Sequence, residues 1–118
     1  LSGADLYGAD LSYARLSYAD LSGADLVSAD LGGAYMDGID LYGADLGGAV
    51  LRDADVSYGD LRHANLSGAD LSGANLYFAG LTGADLSGAD LSGVSWYYTT
   101  CPDGTRSNDN GNTCVNNL

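Results

Sequence analysis

The chain has 118 residues, 46% of them hydrophobic, and neither Lys nor Glu: sixteen Asp stand against four Arg, for a formal net charge of −12. The length fits one domain, and the charge disfavours nucleic acid or an anionic membrane as partner while favouring solubility or a basic partner. No apolar run approaches the ~18 residues of a membrane-spanning helix.

The first element runs from Leu1 to Ser95, where a five-residue unit close to A-D-L-S-G repeats nineteen times without insertion or deletion. Leu holds the centre of every unit except those of Met36 and Val56, and Trp96 falls on the next beat. Ala stands two residues before the centres, replaced by Ile39, Gly59 and, before Trp96, Val94. Repetition this strict means a stacked architecture in which no unit buries its own apolar face. A straight α-helix turns ~500° over five residues and leaves each Leu ~140° from the last, so no apolar stripe forms. A flat strand alternates with period two, and five is odd, so successive Leu would point to opposite faces. Ala and Leu of one unit share a face of a short extended segment, and the Ser-Gly pair that follows is turn chemistry. The consistent solution is a chain that bends after every unit, with Ala and Leu inward and Asp outward: a β-solenoid.

The unit resembles the A-(D/N)-L-x-x consensus of the pentapeptide-repeat family, over about four-fifths of the chain. That resemblance implies an all-β fold, a right-handed quadrilateral parallel β-helix with four pentapeptides to each coil. Residues 1–95 would then form about 4.75 coils, a rod roughly 23 Å long at a strand spacing of ~4.8 Å, and residues 96–118 a capping tail.

With four units per coil, residues twenty apart share a column. Three interior columns are all Leu, and the fourth reads Leu16, Met36, Val56, Leu76, Trp96. The same face carries Arg15, Tyr35, Asp55, Asn75 and Ser95 before its centres. Tyr18, Gly38, Tyr58, Phe78 and Tyr98 follow two residues after them, with Tyr77 and Tyr97 alongside. An aromatic strip made by Tyr18, Tyr35, Tyr58, Tyr77, Phe78, Tyr97 and Tyr98 is expected at one corner. Its rings brace a corner that lacks Gly, at ~0.5–1.5 kcal/mol per pair, or form a contact surface for another protein or another copy of the chain.

The other faces carry acidic columns, such as Asp5, Asp25, Asp45, Asn65 and Asp85. Carboxylates one strand spacing apart lie inside the ~8 Å Debye length and repel, with Asn65 and Val50 as interruptions. Such a face is solvated and keeps a sheet-rich rod from aggregating. The family resemblance adds an alternative, an acidic mimic of duplex DNA that binds a topoisomerase such as gyrase. Against it stand the lack of inserted loops, the use of Leu at the centres, and the cysteine tail.

The tail, from Trp96, shifts to Asn, Thr, Asp and Gly and holds the chain's one Pro. Pro102-Asp103-Gly104 and Asp109-Asn110-Gly111 are turn signals joining short extended pieces, with Trp96 and Val115 placed to cover the last coil. Cys101 and Cys114 are the only cysteines. An even pair in a loop-rich terminus favours a disulfide, worth ~3 kcal/mol, and an oxidising compartment. Resemblance to the tails of secreted bacterial pentapeptide-repeat proteins points the same way. The oxygens of Asp103, Asn108, Asp109 and Asn110 suit Ca²⁺, but their spacing is not that of an EF-hand and is ordinary turn composition.

Little supports catalysis. His63, beside Arg62, is the only His, the Ser residues lack an adjacent base, and no phosphate-binding or zinc-binding motif is present. No cofactor is expected. Arg15, Arg52, Arg62 and Arg106 are scattered and make no nucleic-acid patch; Asn65-Leu66-Ser67 matches a glycosylation acceptor only as repeat sequence. The chain opens in mid-repeat, which reads as a trimmed form whose address has been removed. The expectation is a non-enzymatic structural or interaction protein, secreted or periplasmic. Its partner would be another protein or itself, including head-to-tail assembly into filaments.

Overall fold

The computed structural model describes all 118 residues. Parallel bridges join each residue before a centre to the residue twenty further on, from Asp5–Asp25 to Gly80–Thr100. One coil therefore takes four units. The chain forms a rod of 36 × 25 × 22 Å including its tail.

Each unit with a coil on both sides repeats one set of backbone bonds. Around Leu6, the Leu6 N–H donates to the Asp25 carbonyl at 2.8 Å, Gly8 N–H to the Val27 carbonyl at 2.9 Å, and Ala9 N–H back to the Leu6 carbonyl at 3.0 Å. From the next coil, Asp25 N–H donates to the Ala4 carbonyl at 2.9 Å. This leaves the N–H just after each centre without a backbone acceptor, and an exposed or half-buried donor still needs a partner. The Asp before the centre supplies it: Tyr7 N–H donates to Asp5 Oδ1 at 3.2 Å, and thirteen further units repeat the bond with Asp, Asn65 or Asn75. A carboxylate on one methylene reaches a backbone N–H two residues on, a geometry that Asn shares and the longer Glu does not. The acidic columns therefore complete the backbone as well as charging the surface.

The bond from the third residue after a centre back to the centre closes a four-residue turn, and the residue two after the centre has positive φ throughout, from Gly3 at 67° to Tyr98 at 56°. Negative φ followed by positive φ is the type II pattern, which favours Gly at that place. With a turn in every unit, only the residues around each Asp are extended. The expected sheet therefore takes the form of columns of single-residue parallel bridges, with no continuous strands.

The interior is one cluster of 29 buried residues, mostly Leu and Ala, each Leu contributing ~1.5–3 kcal/mol. Met36 and Val56 are fully buried in the fourth column and Trp96 nearly so. Val56 also accounts for Gly59: a Cβ there would come within 2.9 Å of the Val56 carbonyl and 3.0 Å of its Cγ1. The first coil has a neighbour on one side only, so Leu1 is exposed and Leu6, Leu11 and Leu16 are partly buried.

Coil geometry continues beyond residue 95. Thr99 N–H bonds back to the Trp96 carbonyl, Thr100 bridges Gly80, and Cys101 lies fully buried at the next interior beat. The tail then folds back through an antiparallel bridge between Thr100 and Arg106 and a short 3-10 helix, Ser107–Asn110, closed by Gly111 at φ 74°. That helix replaces the extended piece and second turn expected there, because Asn110 Nδ2 bonds the Arg106 carbonyl and Thr105 Oγ1. Ser107 is buried: its N–H donates to the Thr99 carbonyl and its hydroxyl to the Trp96 carbonyl. Thr99, in an Ala column, satisfies its own hydroxyl on the Leu76 carbonyl at 2.7 Å. Cys101 and Cys114 are disulfide-bonded and buried. Val115, expected to help cover the last coil, is exposed; the disulfide and Ser107 fill that place, while Leu91 and Val94 stay partly uncovered.

Candidate interaction face

Eight of the left-handed positions in the coils carry a side chain in place of Gly: Tyr13, Tyr18, Ser28, Asp53, Tyr58, His63, Phe78 and Tyr98. Such a conformation costs roughly 1–2 kcal/mol for a non-Gly residue, so what each side chain touches matters. Two solutions occur. Tyr13, Tyr18 and His63 lay their rings over the Gly one coil on, where an added Cβ would sit only 2.5–2.6 Å from the ring at Gly33, Gly38 and Gly83. Tyr58, Phe78 and Tyr98 instead stack on one another.

That second solution builds a ladder. Phe78 stacks on Tyr58 at 5.4 Å and on Tyr98 at 4.9 Å between ring centroids, with interplanar angles of 5° and 9°. Beside it, Tyr77 stacks on Tyr97 at 5.7 Å, and edge contacts tie the two columns together at 4.6 Å. Tyr58 remains 60% exposed and Phe78 42%. The Tyr97 hydroxyl is pushed above its ordinary pKa by the neighbouring Tyr98.

Five of the seven aromatic residues expected at this corner thus come together. Tyr18 is cut off by the Gly38 coil, and Tyr35 stands before its centre at the opposite edge of the face. Between those edges lies a shallow hollow of about 360 Å³ lined by Arg15, Ser17, Tyr35 and Asp37, with Ser17 hydroxyl bonded to Asp37. A larger groove of about 640 Å³ opens on the other side of Tyr35, over Tyr13, Gly32, Gly33 and Arg52. Tyr13 was outside the expected strip; its signal was a lone aromatic in a Gly column.

Elsewhere the charged groups are used locally. Arg52 pairs with Asp70 at 2.6 Å, and the Ser72 hydrogen bonds followed by the Arg52 bond hold Asp70 down to about 2. Arg62 pairs with Asp60 at 2.6 Å and lies over the Tyr42 ring at 5.6 Å, while Tyr42 meets His63 edge-on. Asn65 gives its amide to Asp45, and Asn75 to Asp55, so these Asn replace carboxylate repulsion with hydrogen bonds between coils. In the tail, Asp103 accepts from Thr105 and Asn117, and Asn108 accepts the Tyr98 N–H, so these oxygens serve the fold; no three His, Cys or carboxylate groups converge on a metal position. No helix is long and apolar enough to cross a membrane.

The model of the pentapeptide repeats matches residues 1–26, 19–57, 29–68 and 60–93, with eight copies. The chain belongs to the pentapeptide repeat family. Among solved structures, a pentapeptide repeat protein from the cyanobacterium Cyanothece 51142 is 34% identical, with a TM-score of 0.71 over 72% of this chain. The chain spans 58% of that protein's length. A pentapeptide repeat protein from the Arabidopsis thaliana thylakoid lumen is 29% identical, with a TM-score of 0.54 over 92% of this chain and 77% of the other. QnrB1, a plasmid-mediated fluoroquinolone resistance protein, is 26% identical over 78% of this chain and 57% of the other, with a TM-score of 0.36. No curated protein matches. In this pentapeptide repeat chain, then, the family consensus accounts for the buried Leu-Ala interior and most outer Asp, and does not specify the rings of the ladder.

Proposed function

We propose that this pentapeptide repeat chain is a non-enzymatic binding scaffold, wound in the right-handed sense, whose partner is a protein that docks on the ladder of Tyr58, Tyr77, Phe78, Tyr97 and Tyr98. One observation carries the reading: five rings stack into one continuous surface, whereas on the other faces Tyr7, Tyr13 and Tyr42 stand apart from one another among Asp, Ser and Gly. Exposed aromatic patches of this kind supply contact area at low entropic cost. The disulfide supports an oxidising compartment, secreted or periplasmic.

A photo-cross-linking side chain at position 58 tests the docking site against one at position 7, on another face of the rod. Partner capture from 58 and not from 7 is the expected result; equal capture from both sinks the reading. Sedimentation velocity of the Tyr58→Gly, Phe78→Gly variant tells a second copy from a different protein, since self-association would fall with the ladder. Head-to-tail filaments and gyrase mimicry predict other outcomes on the same material: fibres by electron microscopy and loss of supercoiling activity with excess protein.

A further inference from the structure

The groove of about 640 Å³ is separate from the aromatic ladder and is made by departures from the repeat. Its floor is Gly32-Gly33, where both side chains are missing: a Cβ on Gly32 would lie 3.1 Å from Asp30 Oδ1, and one on Gly33 would lie 2.5 Å from the Tyr13 ring. Its walls include Tyr13 and Tyr35, 74% and 56% exposed. Tyr13 stands where the turn favours Gly, and Tyr35 where the backbone favours Asp.

Four carboxylates line the groove, Asp30, Asp53, Asp55 and Asp70, against Arg52 alone. Arg52 is taken by Asp70. Asp30 and Asp55 accept backbone N–H bonds through Oδ1, and Asp55 Oδ1 also takes the Asn75 amide. Asp53, held at φ 57°, bonds the Ser72 carbonyl through its N–H, and its carboxylate makes no hydrogen bond or ion pair. The groove thus combines two open tyrosine rings with three carboxylates, of Asp30, Asp53 and Asp55, that no cation of the chain pairs with. These carboxylates do not converge as metal ligands do.

We infer that the groove between Tyr13 and Tyr35 is a binding site for an organic cation, an alkylammonium or guanidinium group. Aromatic faces attract such groups through the ring quadrupole, more strongly where carboxylates lie alongside. The same chain shows the chemistry in a filled form on the opposite face, where the Arg62 guanidinium pairs with Asp60 and lies 5.6 Å over Tyr42. In the groove Arg52 is committed to Asp70 and lies over neither ring, so a cation for the rings must come from outside.

The test titrates the full chain by calorimetry, at about 150 mM salt to screen loose attraction, with spermidine and separately with a capped tri-arginine peptide. Saturable one-to-one binding of either is expected. Tyr13→Gly and Tyr35→Asp should each weaken it by about tenfold. Both substitutions restore the residue the repeat uses at that place, so the variants keep the fold, as circular dichroism and Tm will check. Tyr35→Asp is decisive because it adds a carboxylate: attraction by charge alone predicts tighter binding, and the ring-walled site predicts weaker. Binding of spermidine assigns the cation to a free polyamine, and binding of the peptide alone assigns it to the side chains of a basic polypeptide. No binding of either probe, many equivalent sites, or affinity unchanged or raised by Tyr35→Asp overturns the site.

Discussion

On the face centred on Leu6, Leu26, Leu46, Leu66 and Leu86, every residue before the centre is Asp or Asn and lends Oδ1 to the N–H two residues on. On the face of Leu16, Met36, Val56, Leu76 and Trp96, only Asp55 and Asn75 do so, and Arg15, Tyr35 and Ser95 leave the bond unmade. Both faces keep the same rung-to-rung backbone bonds and a buried centre on each inner coil. Interior filling and coil pairing are therefore what the fold requires, and the outer carboxylate is a local supplement. Where that supplement is given up, at Arg15 and Tyr35, the surface carries two hollows, whereas the ring ladder spans two units that keep it, at Asp55 and Asn75, and one that does not, at Ser95.

The largest effect that would sharpen this contrast lies inside. Leu46→Ala, in a fully buried consensus position, should cost about 2–5 kcal/mol by urea denaturation. On the other face the interior is already adjusted. Gly59→Ala should destabilise through its clash with Val56, and Val56→Leu, which moves the branch away from Cβ, should relieve the Cγ1 part of that clash and leave the carbonyl part, so the pair is non-additive in a double-mutant cycle. Strict additivity would mean that Gly59 answers to something other than Val56.

A smaller effect tests the outer carboxylate. Asp45 accepts the Gly47 N–H at 3.0 Å and the Asn65 amide at 2.8 Å, so Asp45→Ala should cost about 1–2 kcal/mol, while Asp45→Asn should be close to neutral. Acid does the same to many units at once. Asp10 and Asp20 are held below their ordinary values first by the Ser12 and Ser22 hydroxyls, Asp85 and Asp90 first by the Ser87 and Ser92 N–H groups, and Asp70 lies at about 2. In the folded chain these groups bind protons less readily than in the unfolded chain. Their stabilisation is complete above about pH 4 and is lost as pH falls towards about 2. Repulsion from Asp70 acts on Asp90 in the opposite sense and loses to the Ser92 hydrogen bonds. A urea midpoint that rises between pH 4 and pH 2 would show repulsion between the columns winning instead.

The coil, its period of twenty and its Leu-Ala interior were legible in the repeat, because a period of five fits neither a helix nor a flat strand. The aromatic ladder was legible in part: Phe78 and its neighbours fall in one column, but Gly38 interrupts that column and isolates Tyr18. The bonding role of Asp had a signal, sixteen Asp and no Glu, whose meaning appears only once the other four N–H groups of a unit are assigned. The groove was visible only as separate departures at Tyr13 and Tyr35, since Gly32-Gly33 contributes by lacking side chains and Tyr13 by leaning across to the next coil. The 3-10 helix of the tail depends on side-chain bonds from Asn110 that turn composition does not specify.

The smallest expected effect separates the two ways a ring occupies the left-handed turn position. Tyr13→Gly removes a left-handed tyrosine, worth roughly 1 kcal/mol of relief, and gives up only the contact of an exposed ring with Gly33. It should raise Tm slightly. Phe78→Gly gains the same relief but loses stacking on both Tyr58 and Tyr98 and the edge contact with Tyr77, about 0.5–1.5 kcal/mol for each pair, so the balance should be a modest net destabilisation. The difference between the two variants isolates the stack from the backbone. If Phe78→Gly is as stabilising as Tyr13→Gly, the ladder braces nothing, and the exposure of its rings answers to a partner alone. If it is strongly destabilising, the rings hold the corner, and loss of cross-linking from position 58 must be read against that loss of stability.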